Sequence, residues 1–165
     1  MPDGWHSKIT CDVLAQDCPP GEKCTAWGDE GTAWNATKCV PVMERPRQPG
    51  EPCVVMDSGV SGIDDCDLGA MCWDVGPDLM GTCVALCTGS IEMPVCQDPG
   101  ALCAILNEGV LNLCLERCDP LVGDCQDPAD LCLPVDDEGF TCVLDASGDG
   151  GGLHSACVFA NGCDP

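Results

Sequence analysis

At 165 residues the chain has the length of one ordinary domain, yet it carries eighteen cysteines beside two Phe, four Trp and no Tyr. So few large side chains cannot fill one sizeable core, and cross-links are the usual remedy. Cysteine at this density marks a disulfide scaffold in an oxidising compartment, and the even count leaves no thiol over. With 28 acidic against 6 basic residues, a net charge of −22, the chain repels nucleic acid and anionic lipid.

In chain order, residues 1–10 read as a tail. "MPDGWHSKIT" has no apolar run of the kind an export signal needs, so the chain reads as a mature segment of an exported protein. The cysteines then fall into fours. Unit one (11–39) holds Cys11, Cys18, Cys24 and Cys39. A Pro-rich stretch at 40–52, expected to act as a stiff linker, leads to unit two (53–83) with Cys53, Cys66, Cys72 and Cys83. Unit three (87–114) holds Cys87, Cys96, Cys103 and Cys114. Unit four (118–142) holds Cys118, Cys125, Cys132 and Cys142. Only three residues separate unit two from three and unit three from four, which predicts a continuous segment. A Gly-rich connector at 143–156 then precedes Cys157 and Cys163, which read as the first half of a fifth, truncated unit at 157–165.

Sequence agreement supports the division. "CDVLAQDC" matches "CDPLVGDC" in units one and four, and "CQDPGALC" matches "CQDPADLC" in three and four. A period of about 30 to 40 residues is that of an array of small modules. Between the third and fourth cysteine of each unit, short apolar stretches flank "GDEG", "VGPD", "NEG" or "DDEG". That pattern is a β-hairpin turning on Gly, Asn, Asp and Pro.

The fold class expected is therefore small, disulfide-rich and mostly β or irregular: an elongated tandem array of four-cysteine hairpin modules with little or no helix. Each unit is expected to close on itself, first cysteine to third and second to fourth, out of three possible connectivities. Zinc is the rival use of cysteine. It usually wants C-x-x-C pairs completed by histidine, and the chain has no C-x-x-C and only His6 and His154.

Candidate binding residues are few. "DASGDG" resembles the front of a calcium loop, with oxygens at Asp145, Ser147 and Asp149, but Ala156 stands where a bidentate Glu belongs. A second acidic run offers Asp57, Asp64, Asp65 and Asp67, with Gly59 where an oxygen is needed. Trp27 and Trp34 flank the first hairpin turn, placed either to fill a mini-core or to stack on a sugar or peptide. "NAT" at Asn35–Thr37 is a formal N-glycosylation acceptor. No G-x-S-x-G, H-E-x-x-H or phosphate loop occurs, so catalytic residues are expected to be none. No cofactor is expected except calcium.

The stretches "CDVLAQDCPPGEKC", "KCVPV", "CDLGAMCWDV", "NEGVLNLCLERCDPL" and the closing "CDP" resemble a family of Cys-rich exported proteins and lipoproteins of myxobacterial type. The resemblance spans nearly the whole chain and implies a secreted, surface or periplasmic protein. Some members carry the name ribulose-phosphate epimerase. That enzyme is a TIM barrel with metal-binding His and Asp at strand ends, and this chain has neither the alternating β/α pattern nor the histidines.

Two functions follow as expectations. One is a non-catalytic extracellular module that is structural, adhesive or self-assembling, with partners limited to copies of itself or a cell-surface component. The other is a surface protein that binds calcium or carbohydrate. Neither involves nucleic acid or a membrane span.

Overall fold

The computed structural model describes residues 8–31, 33–135 and 139–145. Within them the chain is a disulfide-rich, mostly-β protein with only two single-turn 3-10 segments. Cys157 and Cys163 lie outside the described residues.

Module one contains β1 (Lys8–Ile9), β2 (Glu22–Trp27) and β3 (Ala36–Pro41) in the order β1-β3-β2, with β1 parallel to β3. Module two has the same strand order with β4 (Pro52–Val54), β5 (Ala70–Trp73) and β6 (Met80–Ala85) as β4-β6-β5, but its edge strand β4 runs antiparallel to β6. Module three sets a small hairpin, β7 (Thr88–Gly89) with β8 (Pro94–Val95), before its main hairpin, β9 (Ala101–Leu106) with β10 (Leu111–Glu116). Module four is the hairpin of β11 (Asp130–Val135) and β12 (Gly139–Leu144). The β9–β10 turn runs through Asn107, Glu108 and Gly109 at φ 51°, 57° and 89°. Asn and Gly tolerate this left-handed region best.

The hairpin registers are alike. Cys24 faces Cys39, Cys72 faces Cys83, Cys103 faces Cys114 and Cys132 faces Cys142. The facing cysteines do not bond each other. In every module the first bonds the third and the second bonds the fourth: Cys11–Cys24, Cys18–Cys39, Cys53–Cys72, Cys66–Cys83, Cys87–Cys103, Cys96–Cys114, Cys118–Cys132 and Cys125–Cys142. Each hairpin is thus tied to the loop that precedes it. Two-stranded hairpins are marginal alone in water, and closing loops of 13 to 21 residues contributes on the order of 3 kcal/mol each by the loop-entropy argument.

The modules are not separate beads. One apolar cluster takes Val13 and Ala26 from module one, Met71 from module two, Leu102, Ala104, Leu111 and Leu113 from module three, and Val135 from module four. The connectors take part as well. Leu86 bridges Leu113 and Arg117 bridges Thr141. The Pro-rich stretch is hydrogen-bonded to its neighbours: the Arg47 N–H donates to Asp65 O at 2.7 Å, the Asp67 N–H to Arg47 O at 2.8 Å, and the Gly50 N–H to Cys83 O at 2.8 Å. The sequence treats 40–52 as a spacer; in the structure it lines module two. Module one can therefore fold back onto module two.

Candidate functional site

The seam between modules one and two is the most polar part of the interior. Lys23, on β2, is fully buried. Its ammonium donates to Asp64 Oδ1 at 2.5 Å, to Cys66 O at 2.8 Å and to Ala70 O at 3.0 Å, which uses all three protons. Asp64, 2% exposed, also accepts the Cys66 N–H on Oδ1 and the Cys72 N–H on Oδ2, each at 2.9 Å. Burial lowers the Lys23 pKa, against the pull of Asp64. Around the pair, the Gly28 N–H donates to Val60 O at 2.7 Å. Gly62, at φ +71°, lies so close to β2 that a Cβ there would sit 2.5 Å from Ala26 O.

The second acidic run is consumed by this seam. Asp64 holds Lys23, Asp65 accepts the Val54 N–H at 2.9 Å, and Asp67 accepts from Gln48 Nε2 at 2.9 Å and the Leu68 N–H at 2.7 Å. Those two hydrogen bonds hold the Asp67 carboxyl below the usual range. Asp57 stays exposed on a positive-φ turn. Asp64, Asp65 and Asp67 are structural acceptors, and among the described residues the four carboxylates do not bring three oxygens within 4.8 Å of one another. Nothing in the spacing marks Lys23 as buried. The available signal is a scarce cation inside the strand "EKCTAW", four of whose residues are buried in succession, so that both faces are covered.

The tryptophans also work at seams. Trp34 packs against Trp73 of module two with ring centroids 6.3 Å apart, and its carbonyl accepts Asn107 Nδ2 of module three at 3.0 Å. Trp27 is half-buried under Lys38, whose Nζ lies 4.3 Å from the ring centroid. Trp27 and Trp34 are thus engaged with different partners and do not present one stacking platform. Of the calcium loop, Asp145 closes the described residues, and Ser147 and Asp149 lie outside them.

One carboxylate cluster escapes sequence reading because it joins distant modules. Asp74 follows β5, Asp127 precedes β11, and Asp130 opens β11; one carboxylate oxygen from each lies within 4.8 Å of the others. They line a cleft of about 960 Å³ between modules two, three and four, with Asp98 and Glu116 also on its wall. Partial burial raises the Asp130 pKa, and Asp127, Asp74 and Glu116 push it the same way. No helix among the described residues is long and apolar enough to cross a membrane. No family model, curated protein or solved structure matches the chain.

Proposed function

We propose that the chain is a non-catalytic extracellular structural module that associates with copies of itself at a cell surface. The observation that carries this reading is the way the mass is held. Four doubly cross-linked modules merge into one apolar cluster, while Leu121 and Val122 stay 93% and 71% exposed on a loop outside it. Disulfides at this density suit an oxidising, extracellular setting, and the resemblance to Cys-rich exported proteins points the same way. Sedimentation velocity of the oxidised chain over rising concentration tests the reading. Concentration-dependent association is expected, and a monomer at every concentration refutes it.

A second reading, calcium binding, is favoured by the convergence of Asp74, Asp127 and Asp130, a charge density that a hard divalent cation relieves. Calorimetric titration with calcium decides it. Heat that disappears in Asp130→Asn supports the reading, and absence of heat removes it.

A further inference from the structure

Modules one and four carry the same loop between their first two cysteines, and it folds on the same hydrogen bonds. In module one the Asp12 N–H donates to Asp17 Oδ1 and the Leu14 N–H to Asp12 Oδ1, both at 2.8 Å. In module four the Asp119 N–H donates to Asp124 Oδ1 at 2.8 Å and the Leu121 N–H to Asp119 Oδ1 at 2.9 Å. The turn closes alike in both, Gln16 N–H to Asp12 O at 2.9 Å and Gly123 N–H to Asp119 O at 2.8 Å. Leu14 and Leu121 are therefore equivalent positions on one scaffold.

Their surroundings are opposite. Leu14 is 8% exposed and packs on Cys87 and Cys103, the first-to-third disulfide of module three. Leu121 is 93% exposed and Val122 beside it 71%. The disulfides differ in the same sense. In modules one, two and three the cysteines of the first-to-third bridge are at most 8% exposed, whereas Cys118 and Cys132 are both only half-buried. Among the described residues, module four therefore has a plug without a socket and a socket without a plug.

We propose that module four is the self-association surface, at which Leu121 of one copy seats on the Cys118–Cys132 disulfide of a second copy. The contact repeats between chains the one that Leu14 makes with Cys87–Cys103 inside the chain. Plug and socket on one module make the surface self-complementary, as a two-fold dimer requires. The surroundings are acidic, with Asp119, Asp124 and Asp127 exposed, so like-charge repulsion opposes the contact and salt strengthens it. The inference rests on the self-association reading above and names its surface.

Sedimentation velocity on the full oxidised chain, at low and high salt, tests it. The wild type is expected to dimerise more tightly at high salt. Leu121→Ser is expected to weaken the dimer by about tenfold or more, from the loss of one buried leucine, with all disulfides intact by peptide mapping. Met93→Ser, which removes an apolar side chain 74% exposed on module three, is expected to leave the dimer unchanged. Equal association of wild type and Leu121→Ser overturns this surface but leaves self-association standing. Loss of association in both variants also overturns it, because that outcome marks diffuse stickiness. A wild type that is monomeric at every concentration overturns the surface and the functional reading together.

Discussion

Replacing Lys23 by Met should open the seam between modules one and two without touching a disulfide. The substitution keeps most of the side-chain volume and removes the ammonium. Asp64 would then be a carboxylate 2% exposed with no cation, and the carbonyls of Cys66 and Ala70 would lose their donor. Breaking one side of a buried, hydrogen-bonded ion pair costs about 3 to 5 kcal/mol. The usual rescue, replacing both partners by apolar residues, should fail here. Asp64 also accepts the N–H groups of Cys66 and Cys72, and each buried donor left unsatisfied costs about 1 to 3 kcal/mol. Native-state hydrogen exchange reads the seam directly at the Gly28 N–H, which is bonded across it to Val60 O. In Lys23→Met that amide should exchange between about a hundredfold and a few thousandfold faster, since each 1.4 kcal/mol is a factor of about ten. An acceleration below about tenfold, with the disulfide map unchanged, would show that the pair does not hold the seam.

Asp130→Asn should raise stability at neutral pH, because it removes a carboxylate from a site that disfavours its charged form. The folded pKa is raised above the ordinary value of 3.8, so the wild-type contribution is full below that value and is lost as pH rises through the folded pKa. The gap between variant and wild type, followed by thermal unfolding, should widen over that interval; a gap constant with pH would refute the assignment. Gly62→Ala should lower Tm by at least about 2 °C, from a strained φ and a 2.5 Å approach to Ala26 O. The control Gly59→Ala, whose nearest contact is 3.9 Å away, should change little, and equal effects would refute the close-approach argument. Under mild reductant, the bridges of module two should survive longest, because Cys53, Cys66, Cys72 and Cys83 are all at most 1% exposed. Mass mapping after alkylation that found any of them labelled first would contradict this.

What was legible in the sequence was whatever is local. The spacing of Cys24 and Cys39 around "GDEG", or of Cys132 and Cys142 around "DDEG", determines a hairpin because turn chemistry and strand length act within about ten residues. The closure of each module on itself follows from that grouping, while the order found, first to third and second to fourth, is the expected one of three that the spacing leaves open. The rest depends on which module faces which. β1 and β4 are too short to carry an alternation signal and become strands because a hairpin edge is at hand. Asp64 reads as one oxygen of an acidic run, and nothing pairs it with Lys23 until two modules close over them. Trp34 meets Trp73 across 39 positions of sequence, and Asp74 meets Asp130 across 56. Periodicity within one strand has no means of recording such distances.

The covalent and non-covalent layers of this protein close on different length scales, and that sets an order for a chain delivered N-terminus first. Every disulfide among the described residues spans 21 residues or fewer, so each module can oxidise as soon as its own fourth cysteine emerges. The seat for Leu14, by contrast, needs Cys103, and the carbonyl of Trp34 waits for Asn107. Through that interval the first module can already be cross-linked while it still shows its apolar loop, in a chain whose later modules have not arrived. Cysteines paired within their own module are out of reach of those still to come, so oxidation that keeps pace with delivery protects the pairing from scrambling.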